Sequence, residues 1–116
     1  MLHFKRRAIS FIAARLATGK NISSIYDYSF NSYFNYSGTV SNSINIYDYS
    51  RSSYLGGTKD SIYDYGTNTY ITLKVQGGKF SGYDYETASY YSGTINGSNS
   101  ISFYDQSDGS YYNFTF

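Results

Sequence analysis

Ile46-Tyr47-Asp48-Tyr49 is one of five copies of a single four-residue word, and the recurrence of that word decides the fold. The other copies are Ile25-Tyr26-Asp27-Tyr28, Ile62-Tyr63-Asp64-Tyr65, Gly82-Tyr83-Asp84-Tyr85 and the degenerate Phe103-Tyr104-Asp105-Gln106. Their leading tyrosines are separated by 21, 16, 20 and 21 residues. A second word, Tyr36-Ser37-Gly38-Thr39-Val40, returns as Tyr91-Ser92-Gly93-Thr94-Ile95, with Gly57-Thr58 as a shortened relative. Both words are built from aromatic, β-branched and small hydroxyl residues, the composition of pleated strands. Two such words per period of roughly 20 residues imply five hairpins and about ten short strands.

Small-residue turns divide the runs. The spacing predicts strands over 22–28, 33–40, 43–49, 53–58, 60–65, 69–75, 79–85, 90–95, 100–105 and 111–116. Asn96-Gly97 and Asp108-Gly109 are the pairs that supply the positive φ angles of type I′ hairpin turns. Gly56-Gly57 and Gly77-Gly78 are expected to turn the chain or to mark bulges. The expected class is all-β with one N-terminal α-helix, an antiparallel meander of about ten short strands that forms a curled sheet, a barrel or a single layer. Unequal repeat lengths argue against a solenoid.

Strand side chains alternate between faces, so each run splits into two sets. One set carries Ile25, Ile44, Ile46, Ile62, Phe80, Ile101 and Phe103, each run ending in the aspartate of its word. The opposite set carries Tyr26, Tyr28, Tyr47, Tyr49, Tyr63, Tyr65, Tyr83, Tyr85 and Tyr104, which form the candidate binding surface. Ile71, Leu73 and Val75 separate in the same way from Tyr70, Thr72 and Lys74, and Phe114 and Phe116 from Asn113 and Thr115. Each aspartate stands at a strand end, where its carboxylate can accept turn N–H groups. Copies on every second strand lie roughly 9.5 Å apart, too far to share a proton.

The chain divides into residues 1–20 and a repeat region, 21–116. Phe4, Ala8, Phe11, Ile12 and Leu16 share one helical face, and Gly19 is placed to end the helix, so residues 2–18 read as an amphipathic helix. Its apolar stripe is expected to pack on the aliphatic face of the sheet and cover about half of it, with Arg6, Arg7 and Arg15 turned mainly away. Residues 1–20 contain five basic and no acidic side chains, whereas the remainder has four basic against eight acidic ones; the net charge is +1. This asymmetry either holds the two parts together or aims the basic end at an anionic partner. No clear signal peptide or transmembrane segment is expected, because the apolar run from Ala8 is broken at Arg15.

Catalytic patterns are missing. The single histidine, His3, and single glutamate, Glu86, offer no triad and no dedicated carboxylate pair. Five equivalent aspartates are the opposite of one specialised pair. Without cysteine the chain has no disulfide, thiolate nucleophile or cysteine zinc site. No Gly-rich phosphate loop precedes a helix. The expectation is a protein that is not an enzyme and has no metal or cofactor.

A tyrosine-rich, hydroxyl-rich face suits three uses. Rings can stack on another copy or a protein partner, on sugars, or on single-stranded nucleic acid. The expected function is that of a non-enzymatic structural or assembly protein, with a carbohydrate-binding, lectin-like module as the alternative. Nucleic acid is disfavoured because this face is acidic to neutral, and membrane contact through residues 2–18 ranks below docking of the helix. The competing expectation is that the tyrosines only brace the sheet through cross-strand pairs. In pattern, the hairpins resemble single-layer sheets of the spirochaete outer-surface type and curli-type amyloid repeats. The curli offsets of Ser, Gln, Gly and Asn are absent, so that function does not carry over.

Overall fold

The computed structural model describes the whole chain, residues 1–116. A helix, α1 (His3–Thr18), is followed by strands β1 (Ser24–Asp27), β2 (Ser32–Val40), β3 (Ser43–Asp48), β4 (Ser53–Thr58), β5 (Ser61–Asp64), β6 (Thr69–Thr72), β7 (Lys74–Gln76), β8 (Lys79–Asp84), β9 (Ser89–Ile95), β10 (Ser100–Asp105) and β11 (Ser110–Thr115). All pairings are antiparallel, in the order β6-β5-β4-β3-β2-β1-β11-β10-β9-β8-β7, and β6 also pairs with β8. The sheet therefore closes into a barrel. Strands β6 and β7 are one bent stave, because Ile71↔Asp84 and Lys74↔Ser81 keep a single register across Leu73. At the bend the Thr72 hydroxyl accepts the Tyr83 N–H at 2.8 Å, and the Thr72 carbonyl accepts the Tyr91 hydroxyl at 2.7 Å. The ten expected strands thus correspond to ten staves.

The helix lies inside this barrel, not across one face of a sheet. Residues Lys5 to Ala14 are all buried, and one apolar cluster joins Ala8, Ile9, Phe11 and Ile12 to residues of almost every strand. Eight strands make a barrel that side chains alone can fill. Ten strands leave a wider lumen, and α1 occupies it. Small residues at Ala8, Ser10, Ala13 and Ala14 keep the helix slender, while Phe11 fills space by stacking on Tyr36 with centroids 4.5 Å apart. Gly19, at φ 69°, ends the helix by donating its N–H to the Arg15 carbonyl. The expected half-cover fails because a twisted sheet of this length curls until its ends pair. No helix is long and apolar enough to cross a membrane. The aliphatic face of the barrel is the inner one.

All five word aspartates point inward and are buried in a ring around the N-terminal end of the helix. One carboxylate oxygen of each accepts the N–H two residues on, from Ser29, Ser50, Gly66, Glu86 and Ser107 at 2.8–3.1 Å, as turn chemistry predicts. The same carboxylates bind cations. Lys5 meets Asp84 (3.2 Å), Arg6 meets Asp105 (3.0 Å) and Arg7 meets Asp27 (3.1 Å), while Arg51 bridges Asp48 (2.9 Å) and Asp64 (3.0 Å). The Arg51 guanidinium lies 4.1 Å from the Phe4 ring centroid. Successive helix residues point about 100° apart, so Phe4, Lys5, Arg6 and Arg7 sweep one full turn and reach all five words. Arg6 and Arg7, expected to turn away from the apolar stripe, do so, yet both are enclosed. The charge asymmetry of the sequence is resolved inside the molecule. Burial pushes the Asp105 carboxyl up, but hydrogen bonds from the Ser107 hydroxyl and the Met1 amino group outweigh it and hold the pKa below its ordinary value.

Each word ends in a four-residue hairpin loop of one design. The last loop residue is left-handed in every copy: Asn31 (φ 50°), Ser52 (52°), Asn68 (56°), Ala88 (54°) and Gly109 (70°). Asp108-Gly109 therefore does not form a type I′ turn, because the aspartate cap leaves only the final position in need of a positive φ. Nor does Asn96-Gly97. That connection runs on to Asn99 (φ 61°), with the Asn96 side chain accepting the Ser98 N–H at 3.2 Å.

Candidate functional site

The outer surface at the aspartate end is a belt of tyrosines. Tyr26, Tyr28, Tyr47, Tyr49, Tyr63, Tyr65, Tyr83, Tyr85 and Tyr104 all project outward there, as the alternation predicts. In the first four copies the leading tyrosine is half-buried beneath two rings. Tyr47 contacts Tyr49 (5.0 Å, 82°) and Tyr54 (4.8 Å, 62°); Tyr63 contacts Tyr65 and Tyr70, both at 4.8 Å. Tyr26 with Tyr28 and Tyr33, and Tyr83 with Tyr85 and Tyr90, repeat this edge-to-face arrangement. The fifth copy has Gln106 in place of a tyrosine and keeps only the Tyr104–Tyr111 pair. The buried aspartates anchor the hairpin tips beneath these rings, Asp27, Asp84 and Asp105 on helix cations and Asp48 and Asp64 on Arg51.

Five outer rings, Tyr33, Tyr54, Tyr70, Tyr90 and Tyr111, did not belong to the surface expected from the words. Each lies seven residues after the leading tyrosine of its copy, a constant offset although the repeats vary in length. That constancy is the signal that marks a fixed hairpin tip. Register then pairs them directly: Tyr26↔Tyr33, Tyr47↔Tyr54, Tyr63↔Tyr70, Tyr83↔Tyr90 and Tyr104↔Tyr111.

Not every tyrosine joins the belt. Tyr36 and Tyr91 face inward, opposite Asp48 and Asp105, and Tyr91 stacks flat on Phe103 at 5.1 Å. Burial, reinforced by Asp48 for Tyr36 and by Asp84 for Tyr91, pushes both phenols well above the ordinary tyrosine pKa. Gly82 takes the place that isoleucine holds in three words. A Cβ there would stand 1.9 Å from the Thr72 carbonyl oxygen and 2.5 Å from the Tyr91 hydroxyl, so this copy gives up its side chain to admit Tyr91.

Away from the tips, the outward strand positions are filled by Ser, Thr, Asn, Gly and Gln, together with two lysines, Lys74 and Lys79. Shallow grooves lie on the outer wall beside the tips. The largest, about 570 Å³, crosses β7 to β11 and includes Lys74, Lys79, Ser92, Thr94, Tyr104 and Tyr111. A second, about 420 Å³, has Ser37 and Asn45 beneath Tyr47, Tyr49 and Tyr54, and the Tyr49 hydroxyl donates to Ser37 at 3.1 Å. A third, about 250 Å³, lies among Ser61, Tyr70, Thr72 and Tyr85.

Two polar features are absorbed by the fold. His3 packs between Phe4 and Phe30, and partial burial, then Arg7 and Arg6, lower its pKa. The five word aspartates are each engaged by a turn and a cation, and no group of three or more His, Cys, Asp or Glu could hold a metal ion. No family model, curated protein or solved structure matches this chain.

Proposed function

We propose that this chain is a non-enzymatic assembly protein whose working surface is the tyrosine belt, with copies associating through their hairpin tips. One observation carries this reading. Nine rings, Tyr28, Tyr33, Tyr49, Tyr54, Tyr65, Tyr70, Tyr85, Tyr90 and Tyr111, are each more than half exposed and all lie around one end of the barrel. Bracing the sheet accounts for the leading tyrosines beneath them, since cross-strand pairs stabilise a sheet. It does not require the outer rings to leave this much apolar area in water. Clustered exposed aromatic area is the signature of an interaction surface, and tyrosine supplies rigid area with little entropy to lose on docking.

The test is molar mass by light scattering across a concentration series. Mass is expected to rise with concentration, and replacing Tyr33, Tyr54, Tyr70, Tyr90 and Tyr111 by serine should hold the protein at the monomer. A wild-type chain that stays monomeric to about 1 mM, where association is worth only ~4 kcal/mol, refutes self-association.

A second reading, a saccharide-binding module, is favoured by the grooves, whose floors of hydroxyl and amide groups beside tyrosine walls match the polar edges and apolar faces of sugar rings. A glycan-array signal abolished by Tyr47→Ala or Tyr63→Ala supports it; an array with no signal rejects it.

A further inference from the structure

We infer that the largest groove is a site for an acidic saccharide, one whose carboxylate or sulfate groups sit on Lys74 and Lys79 while its rings lie toward Tyr104 and Tyr111. The inference rests on the saccharide reading and adds to it a place, a polarity and a ligand charge.

Lys74 and Lys79 are the only charged side chains at outward-facing strand positions; every other charged group belongs to the helix, a loop or the inward aspartate ring. The register Lys74↔Ser81 and Gln76↔Lys79 makes them diagonal neighbours on adjacent strands. Diagonal positions lie about 7–8 Å apart, near enough for two long side chains to reach one anionic group. Both are exposed, and neither forms an ion pair. Arg51 binds two aspartates, Lys20 donates to Asn99 at 2.9 Å and Lys59 belongs to the turn between β4 and β5, so Lys74 and Lys79 stand apart on the wall itself. These two lysines are the unspent positive charge of the barrel wall.

From the lysines, two rows of short polar side chains lead across the wall. One runs Lys74–Ser81–Ser92–Tyr104–Tyr111 and the other Lys79–Thr94–Ser102, each step a direct cross-strand pair. None of the hydroxyls of Ser81, Ser92, Thr94 and Ser102 is hydrogen-bonded within the chain, in contrast to Ser37 in the second groove, which receives the Tyr49 hydroxyl. Their small size makes the trough, and their free hydroxyls line its floor. Tyr111, with 69 % of its surface exposed, closes the far end beside Tyr104, 4.8 Å between centroids. This is also the one tip where Gln106 replaces the second tyrosine, so the ring pair is less crowded than in the other copies. Four interstrand steps span roughly 19 Å, a length suited to a short oligosaccharide and not to a single ring. Charge at one end, hydroxyls between and an aromatic platform at the other give the trough a direction.

Single-stranded nucleic acid also offers anionic groups and flat rings, but it presents a phosphate at every step. Here both cations are at one end, and the tyrosine end has none.

The test is titration calorimetry of the full chain with short oligomers of three kinds: a polyuronate, a sulfated glucan and a neutral glucan, with oligothymidine as a fourth titrant. Binding of the uronate or the sulfated oligomer is expected, and which of the two binds identifies the anionic group. Affinity should fall at least about tenfold in the Lys74→Gln/Lys79→Gln variant and severalfold in Tyr111→Ala, as expected for lost charge-assisted hydrogen bonds and lost ring contact. All three positions are exposed, so circular dichroism melts should be unchanged in the lysine variant and lowered by no more than about 4 °C in Tyr111→Ala, which loses its cross-strand contact with Tyr104. Replacing Lys59, a loop lysine outside the groove, should leave affinity unaltered. Absence of binding by both acidic oligomers, equal loss on replacing Lys59, or oligothymidine binding as tight as the acidic sugars each overturns the inference. A neutral glucan that binds, survives the lysine substitutions and is lost in Tyr47→Ala would overturn this site while leaving the saccharide reading standing.

Discussion

Replacing Asp27 by asparagine separates the two tasks that each word aspartate performs. Asparagine keeps a side-chain oxygen for the Ser29 N–H, now at 2.9 Å, but removes the charge that faces Arg7 at 3.1 Å. Arg7 is only 2 % exposed, sits 3.3 Å from the Phe34 ring centroid and has no second carboxylate. Removing one partner of a buried ion pair costs about 3–5 kcal/mol, because the remaining charge stays in a poorly solvating interior. The retained amide oxygen places this case near ~3 kcal/mol. For a chain of this length, with unfolding entropy of about 2.1 cal/mol/K per residue, that is a fall in Tm of roughly 12 °C. Arg7→Met removes the stranded charge while preserving much of the side-chain volume, so Asp27→Asn combined with Arg7→Met should be markedly more stable than the sum of the two single losses predicts. Urea denaturation of the four proteins completes the cycle. If Asp27→Asn costs less than about 1 kcal/mol, or if the two losses simply add, the ring of aspartates is a set of turn caps and not the lock that holds the helix.

Other consequences are open to direct measurement. Deleting residues 1–20 empties the lumen and strips Asp27, Asp84 and Asp105 of their helix cations; the remaining strands should lose cooperative unfolding and aggregate, and a synthetic 1–20 peptide added in trans should restore a melting transition. Ala88 holds a left-handed conformation at φ 54° that costs a non-glycine residue about 1–2 kcal/mol, so Ala88→Gly should raise stability by about 1 kcal/mol in urea titrations. Gly82→Ala should destabilise by ~1–3 kcal/mol or more, since its Cβ meets backbone oxygen and not a flexible side-chain end. In an alkaline titration followed by phenolate absorbance, Tyr36 and Tyr91 should stay protonated until the barrel opens. Their folded pKa values are raised, so the folded state holds these protons more tightly than the unfolded one. The stability this contributes is full below pH ~10 and is progressively lost at higher pH. Complete, simultaneous ionisation of every tyrosine in a chain that remains folded would contradict the inward placement.

Much of the architecture is legible in local pattern. Period-two alternation in runs such as Ser43–Asp48 fixes which residues share a face, and the aspartate at each strand end identifies the turn that follows. The nine tyrosines singled out by the repeated word all lie where alternation puts them. Tyr33, Tyr54, Tyr70, Tyr90 and Tyr111 were legible too, through the fixed offset of seven, but only once the word is taken to extend through its loop. Tyr36 and Tyr91 illustrate the limit of composition: tyrosine alone does not say which face it occupies, whereas register does, and these two stand opposite inward aspartates.

By itself, then, the sequence determined five hairpins, their two faces, a basic helix and the turn-capping aspartates, because all of these follow from contacts within some twenty residues of chain. Only the tertiary structure decided that the first and last strands pair, that β6 reaches β8 to close the barrel, and that the helix is enclosed by the sheet it was expected to lie upon. Closure depends on twist accumulated over ten staves, a quantity no local window contains. The same holds for Lys5-Arg6-Arg7. Three adjacent cations read as a solvated face along a chain, but inside a ring of five carboxylates their 100° steps point each one at a different partner.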